Sequence, residues 1–121
     1  MNKYFSPNER GLDGGRYEKL SPLLLEKLDE LREEYGKAIT ITSSYRGADH
    51  PIEAAKPNGP GVHSYGVAVD IASVGGNTTF ELVAAAIKVG FKRIGINRKS
   101  NFVHLDLADR THGRNVSLWH Y

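Results

Sequence analysis

The stretch His63-Ser64-Tyr65-Gly66-Val67-Ala68-Val69-Asp70-Ile71-Ala72 carries a strand with an acid in its middle. From Gly66 onward the residues alternate: Val67, Val69 and Ile71 share one face, while Ala68, Asp70 and Ala72 share the other. The first is a core face. On the second, a carboxylate stands between two alanines whose small side chains leave room above the strand. An unpaired charge is expensive to bury there, so Asp70 alone reads as an acid on a solvent-exposed face. It is not alone. His63 stands just before the strand, and Gly66 allows close backbone approach between the two.

The flanking segments give the frame. Pro22 to Tyr35 reads as a helix, with Ser21 as N-cap, Pro22 in the first turn and Gly36 as the stop. Leu24, Leu28, Leu31 and Tyr35 form its apolar stripe. Residues 38–42 alternate as a strand, and a Gly/Pro-rich stretch from Gly47 to Gly61 follows. A loop that long in a compact domain is more often functional than idle. Beyond the second strand, Thr78 and Glu81 read as a capping box for a helix over about 79–89. Strands follow over 91–96 and 102–107, whereas residues 1–20 read as an irregular lead. The order predicts an α+β fold, a small, mostly antiparallel sheet with helices packed on it, in one domain over 1–121.

His104 is the second anomaly. It lies among Phe102, Val103 and Leu105, sharing a face with Phe102 and Asp106. A lone histidine there would be a hydrogen-bonded core residue. With His63 and Asp70 it makes two imidazoles and a carboxylate at the inner edges or faces of strands. Three protein ligands with one open position is the arrangement of a catalytic zinc. The chain has no cysteine, so neither disulfides nor thiolate ligands enter the argument.

Sixteen basic and 14 acidic side chains leave a formal charge of +2, too balanced to point to nucleic acid. Lys92, Arg93, Arg98, Lys99, Arg110 and Arg114 gather in the last third as a solvated face, without the interleaved exposed aromatics of a single-strand binder. No apolar run approaches a membrane span, and the N-terminus lacks the apolar core of a secretory signal. Synthesis in a cytoplasm is the expectation.

The run from His63 to Asp70 resembles the H-x-x-G-x-A-x-D motif of zinc D-Ala-D-Ala carboxypeptidases and L-alanyl-D-glutamate endopeptidases, which share the hedgehog/DD-peptidase fold. Tyr4-Phe5-Ser6, the segment Ile41 to Arg46 with its S-x-Y-R pattern, Phe102 to Asp106, and the aromatic end Trp119 to Tyr121 are similar in order and spacing. The resemblance implies Zn2+ held by His63, Asp70 and His104, and a substrate-facing guanidinium at Arg46. It implies a peptidoglycan stem peptide with a D-residue as the substrate of a monomeric phage endolysin-like or prophage enzyme, acting on the wall after release. Ser64 either hydrogen-bonds substrate or turns the chain, and His50, beside Asp49 in the long loop, is a second substrate-side candidate. His112 reads as an exposed turn residue and His120 as packing of the last strand.

One position departs from the pattern. Many relatives carry Asp or Glu three residues before the third ligand, as general base; here it is Asn101, which cannot take a proton. Asp106 is the nearest substitute, either as that base or as a carboxylate orienting a ligand imidazole. The departure keeps an alternative open: a zinc-containing domain that binds wall peptides or a partner without cutting.

Overall fold

The computed structural model describes residues 2–57 and 61–121. Five strands form one sheet: β1 (Ile41–Ser43), β2 (Ala68–Ala72), β3 (Arg93–Asn97), β4 (Phe102–Asp106) and β5 (Ser117–His120). Their spatial order is β1-β2-β4-β3-β5. The first three contacts are antiparallel and β3 with β5 is parallel, so the sheet is mixed, with antiparallel pairing dominant.

Alternation along the strands divides the sheet into two unlike faces. Val69 and Ile71 of β2, Ile94 of β3, and Val103 and Leu105 of β4 enter the main core. Two helices cover that face: α2 (Pro22–Tyr35), through Leu24, Leu28 and Leu31, and α4 (Gly76–Lys88), through Leu82, Ala85 and Ala86. Each deeply buried leucine contributes roughly 1.5–3 kcal/mol of transfer free energy, so this stripe anchors the helix. The lead is less idle than its glycines imply. Phe5, Leu12 and Leu20 are buried in the same core, and residues 16–19 form a short helix, α1 (Arg16–Lys19).

The predicted boundaries move at several points. The helix over 22–35 stands as expected, but Ser21 makes no side-chain cap; its N–H instead donates to the Gly66 carbonyl at 2.8 Å. The expected capping box at Thr78 and Glu81 does not form, because α4 starts earlier, at Gly76. Gly75, at φ 89°, makes the entry turn that a side-chain cap would otherwise mark. Glu81 pairs with Lys37 instead (2.9 Å), and it is Thr79, the neighbour of Thr78, whose hydroxyl hydrogen-bonds Ser73 (2.8 Å). The strand read over 38–42 is shortened to Ile41–Ser43, since β1 has only β2 as partner and its register shifts between those two residues. Within the long loop, α3 (Pro51–Ala54) forms one turn, with the His50 ring accepting from the Ile52 N–H at 3.2 Å. Asn58, Gly59 and Pro60 of that loop lie outside the described residues.

Gly66 is required by two constraints. Its φ is +72°, and a Cβ there would stand 2.2 Å from the Lys19 carbonyl oxygen. The close approach that this glycine permits is thus to the end of α1, beneath the turn that carries His63.

Candidate metal centre

Sheet register brings the first two groups together. Asp70 of β2 and His104 of β4 are direct cross-strand partners on the face away from the helices. Their side chains meet, with His104 Nδ1 2.9 Å from Asp70 Oδ1. His63 comes from a 3-10 turn, Val62–Tyr65, seated on a small apolar cluster of Val62, Val67, Ala68 and Ala108. The segment after β1 clasps that turn: His63 Nδ1 donates to the Ser44 carbonyl (2.6 Å), and the Arg46 N–H donates to the His63 carbonyl (3.2 Å). His63 Nε2 is thereby left facing Asp70 Oδ1 at 3.4 Å.

All three residues are buried, and one ligand atom from each lies within 4.8 Å of the others. Burial pushes the Asp70 carboxyl up, but hydrogen bonds from His104 and His63, and the charge of both rings, outweigh it and hold the group well below the usual carboxylate range. For His104 burial favours the neutral ring, yet hydrogen bonds to Asp106 and Asp70 win and raise its pKa.

Asp106 lies behind this trio. It is fully buried; Oδ2 holds His104 Nε2 at 2.7 Å, while Oδ1 accepts from Arg93 Nε (2.7 Å) and the Ala108 N–H (3.0 Å). The donor set suits zinc. Each imidazole has one nitrogen engaged by an oxygen acceptor on its far side, Ser44 for one and Asp106 for the other. The opposite nitrogen faces the shared carboxylate, which is how a carboxylate–histidine–zinc arrangement fixes tautomer and ring orientation.

The three residues open on a cleft of about 830 Å³. Phe102, Trp119 and Tyr121 line it, together with Arg46, Lys56, Arg93 and Arg114. Trp119 packs 5.4 Å from the His104 ring, with the Arg93 guanidinium 5.1 Å from its own. It lies directly over Gly95, where a Cβ would come within 2.5 Å of the indole.

The remaining sequence candidates fall in different places. Arg46 lines the cleft, with Nε donating to Glu53 Oε2 (2.9 Å) and Nη1 to Ser43 Oγ (3.3 Å). Ser64 Oγ donates to the Gly61 carbonyl (2.7 Å) and is not among the described residues lining the cleft. His50 lines an adjoining hollow that also contains Arg46. Asn101 sits in the β3–β4 turn, exposed, at φ 57°, a conformation that asparagine tolerates better than most residues. His112 stacks on Tyr65 at 5.2 Å within a capped turn, and His120 is exposed on β5.

Sequence reasoning missed Glu53 and Arg93. Glu53, on α3, is a fully buried carboxylate behind Arg46. Its signal was present: Pro51 at the first helical position with an acid two residues on marks a helix start inside the loop. Arg93 stood among basic residues read as one solvated face, and nothing in the sequence shows that β3 pairs it with Asp106.

The family model for peptidase M15 matches residues 1–106, and the chain belongs to that family. Peptidases of this family are zinc-dependent, so membership supports a metallopeptidase, and His63, Asp70 and His104 form a cluster that could hold a metal ion. Comparisons with curated proteins and with solved structures found no match. Strand β5, which brings Trp119 to the cleft, lies beyond the matched span. Among the described residues, no helix is long and apolar enough to cross a membrane.

Proposed function

We propose that this chain is a zinc metallopeptidase that hydrolyses a bond in D-residue-containing peptidoglycan stem peptides. The observation that carries the reading is the convergence of His63, Asp70 and His104, through their free ligand atoms, on a cleft that also holds Arg46. Zinc bound there would supply a Lewis acid for the scissile carbonyl and promote ionisation of water near neutral pH.

The protein's own residues do the rest. Asp70 stays ionised at all physiological pH, which keeps its oxygen available as a ligand. The Ser44 carbonyl and Asp106 hold the two rings with the correct nitrogens forward. Arg46, anchored at Nε and Nη1, has remaining N–H groups to grip a substrate carboxylate or the charge that develops on the carbonyl oxygen. Phe102, Trp119 and Tyr121 give the peptide an apolar wall. We place its action at the cell wall after release from a cytoplasm, as in phage or prophage lysis.

One observation favours a second reading, a domain that binds wall peptides without cutting. Asp70 is the sole acid among the described residues lining the cleft, and Asn101 stands in an exposed turn at the position where the resemblance implies a base. Mass spectrometry of purified stem peptides incubated with the zinc-loaded protein decides between them. Loss of a terminal D-residue identifies a carboxypeptidase, and a new internal terminus an endopeptidase. Intact peptides that nonetheless bind would leave only the second reading.

A further inference from the structure

Glu53 is an unusual residue for a loop: its side chain is wholly buried, yet it is charged. Its two oxygens accept four hydrogen bonds from three donors on three segments. Arg46 Nε binds Oε2 at 2.9 Å, and Lys56 Nζ reaches both oxygens at 3.0 and 3.1 Å. The Gly61 N–H binds Oε1 at 2.6 Å. Burial raises the Glu53 pKa, but the Gly61 N–H and the neighbouring Lys56 and Arg46 outweigh it, so the group stays ionised.

The geometry matters for what Arg46 can do. A free arginine samples many rotamers, and its planar fork discriminates only when its plane is fixed. Here the Nε edge is occupied by Glu53 and one Nη by Ser43, so the opposite edge is the part left to face the cleft. Glu53 does not itself line the cleft, so it acts through the guanidinium. Gly61 fits the same arrangement, since a Cβ there would meet Lys56 Nζ at 2.5 Å.

We infer that Glu53 is a positioning residue for the reaction: it sets the plane of the Arg46 guanidinium toward the substrate and ties the loop wall of the cleft to it. This inference rests on the peptidase reading above. Two measurements test it, one of which does not need turnover.

In the zinc-loaded protein, Glu53→Gln keeps the shape of the side chain and removes its charge. It should lower kcat about 10-fold or more, as misplacement of a transition-state contact does, with KM changed by less than about threefold and zinc content unchanged. In an Arg46→Ala background the same change should cost nothing further, because the residue it acts through is gone. An equal fall in both backgrounds, or none in the wild-type background, overturns the inference. The second measurement is the Arg46 Nε–Hε resonance by NMR, assigned by its loss in Arg46→Lys. It should exchange slowly with water in the unaltered protein, and its exchange at the rate of exposed arginines overturns the inference even if Glu53→Gln fails to fold. A protein that cleaves nothing overturns the peptidase reading, and the resonance then decides on the pairing with Glu53.

Discussion

Asp106 shows how one side chain's surroundings choose between two chemistries. A general base must reach the proton it takes, and Asp106 has spent its oxygens on His104, Arg93 and the Ala108 N–H, behind the ligands. That placement supports the orienting role. Asp106→Asn should therefore weaken zinc affinity by roughly 10- to 100-fold, with activity recovered when metal is added in excess. A variant that keeps its zinc and stays inactive at any metal concentration would return the proton transfer to Asp106. The cluster of His63, Asp70 and His104 was legible in the sequence, since a strand-borne aspartate and a histidine in an apolar strand are anomalous for their positions and His63 stands just before the first of those strands. The partners behind them were not. Ser44 and Arg93 reach the site through tertiary contacts that no local spacing encodes, and the helix start that marks Glu53 does not show its pairing with Arg46.

Among the elements, the long periodic ones were readable and the short ones were not. The helix Pro22–Tyr35 announces itself by its leucine stripe, Pro22 and Gly36. Alternation placed Val69, Ile71, Val103 and Leu105 on the core face before any pairing was known, but not Val67, which joins Ala68 in the small cluster under the His63 turn. By contrast α4 begins with a glycine turn, so the Thr78–Glu81 signal pointed inside it. The parallel placement of β5 beside β3 depends on a connection with no periodicity of its own. That strand makes a specific demand on its neighbour: Gly95 must stay bare so that Trp119 can lie against it. Gly95→Ala should destabilise the fold by about 1–3 kcal/mol, the usual cost of overpacking, read from a lowered denaturant midpoint at constant m-value. An unchanged midpoint would mean that the indole is free to step aside.

At the scale of the molecule, Asp70 and His104 belong to both the sheet and the site. The strands that carry them pair through backbone hydrogen bonds, and one face of the sheet is sealed by the helices, so the metal-free chain is expected to fold. In the metal-free protein, the hydrogen bonds from His104 to Asp106 and Asp70 raise the ring's pKa, and this gives a definite pH dependence. Because the folded-state pKa of His104 is raised, its contribution to stability is complete below the ordinary histidine value of about 6.5 and is lost as pH rises through the raised value. Asp70, depressed, contributes above the ordinary carboxylate value and loses that contribution only in stronger acid. The Tm of the metal-free protein should thus fall from mildly acidic to alkaline pH. The extra stability conferred by zinc should grow over the same range, since the ring must shed a proton to bind metal. A metal-free Tm that is flat across that range would show that the His104 contact contributes little.

Trp119, the sole tryptophan of the chain, stands with its indole against the His104 ring of the proposed metal site. All the ultraviolet emission that can be excited selectively from tryptophan therefore originates beside the site. Exchanging zinc for a paramagnetic ion such as Co2+ or Cu2+ would place a quencher next to that single emitter. The protein carries its own optical gauge of metal occupancy, readable during a titration without a dye, a label or a substrate.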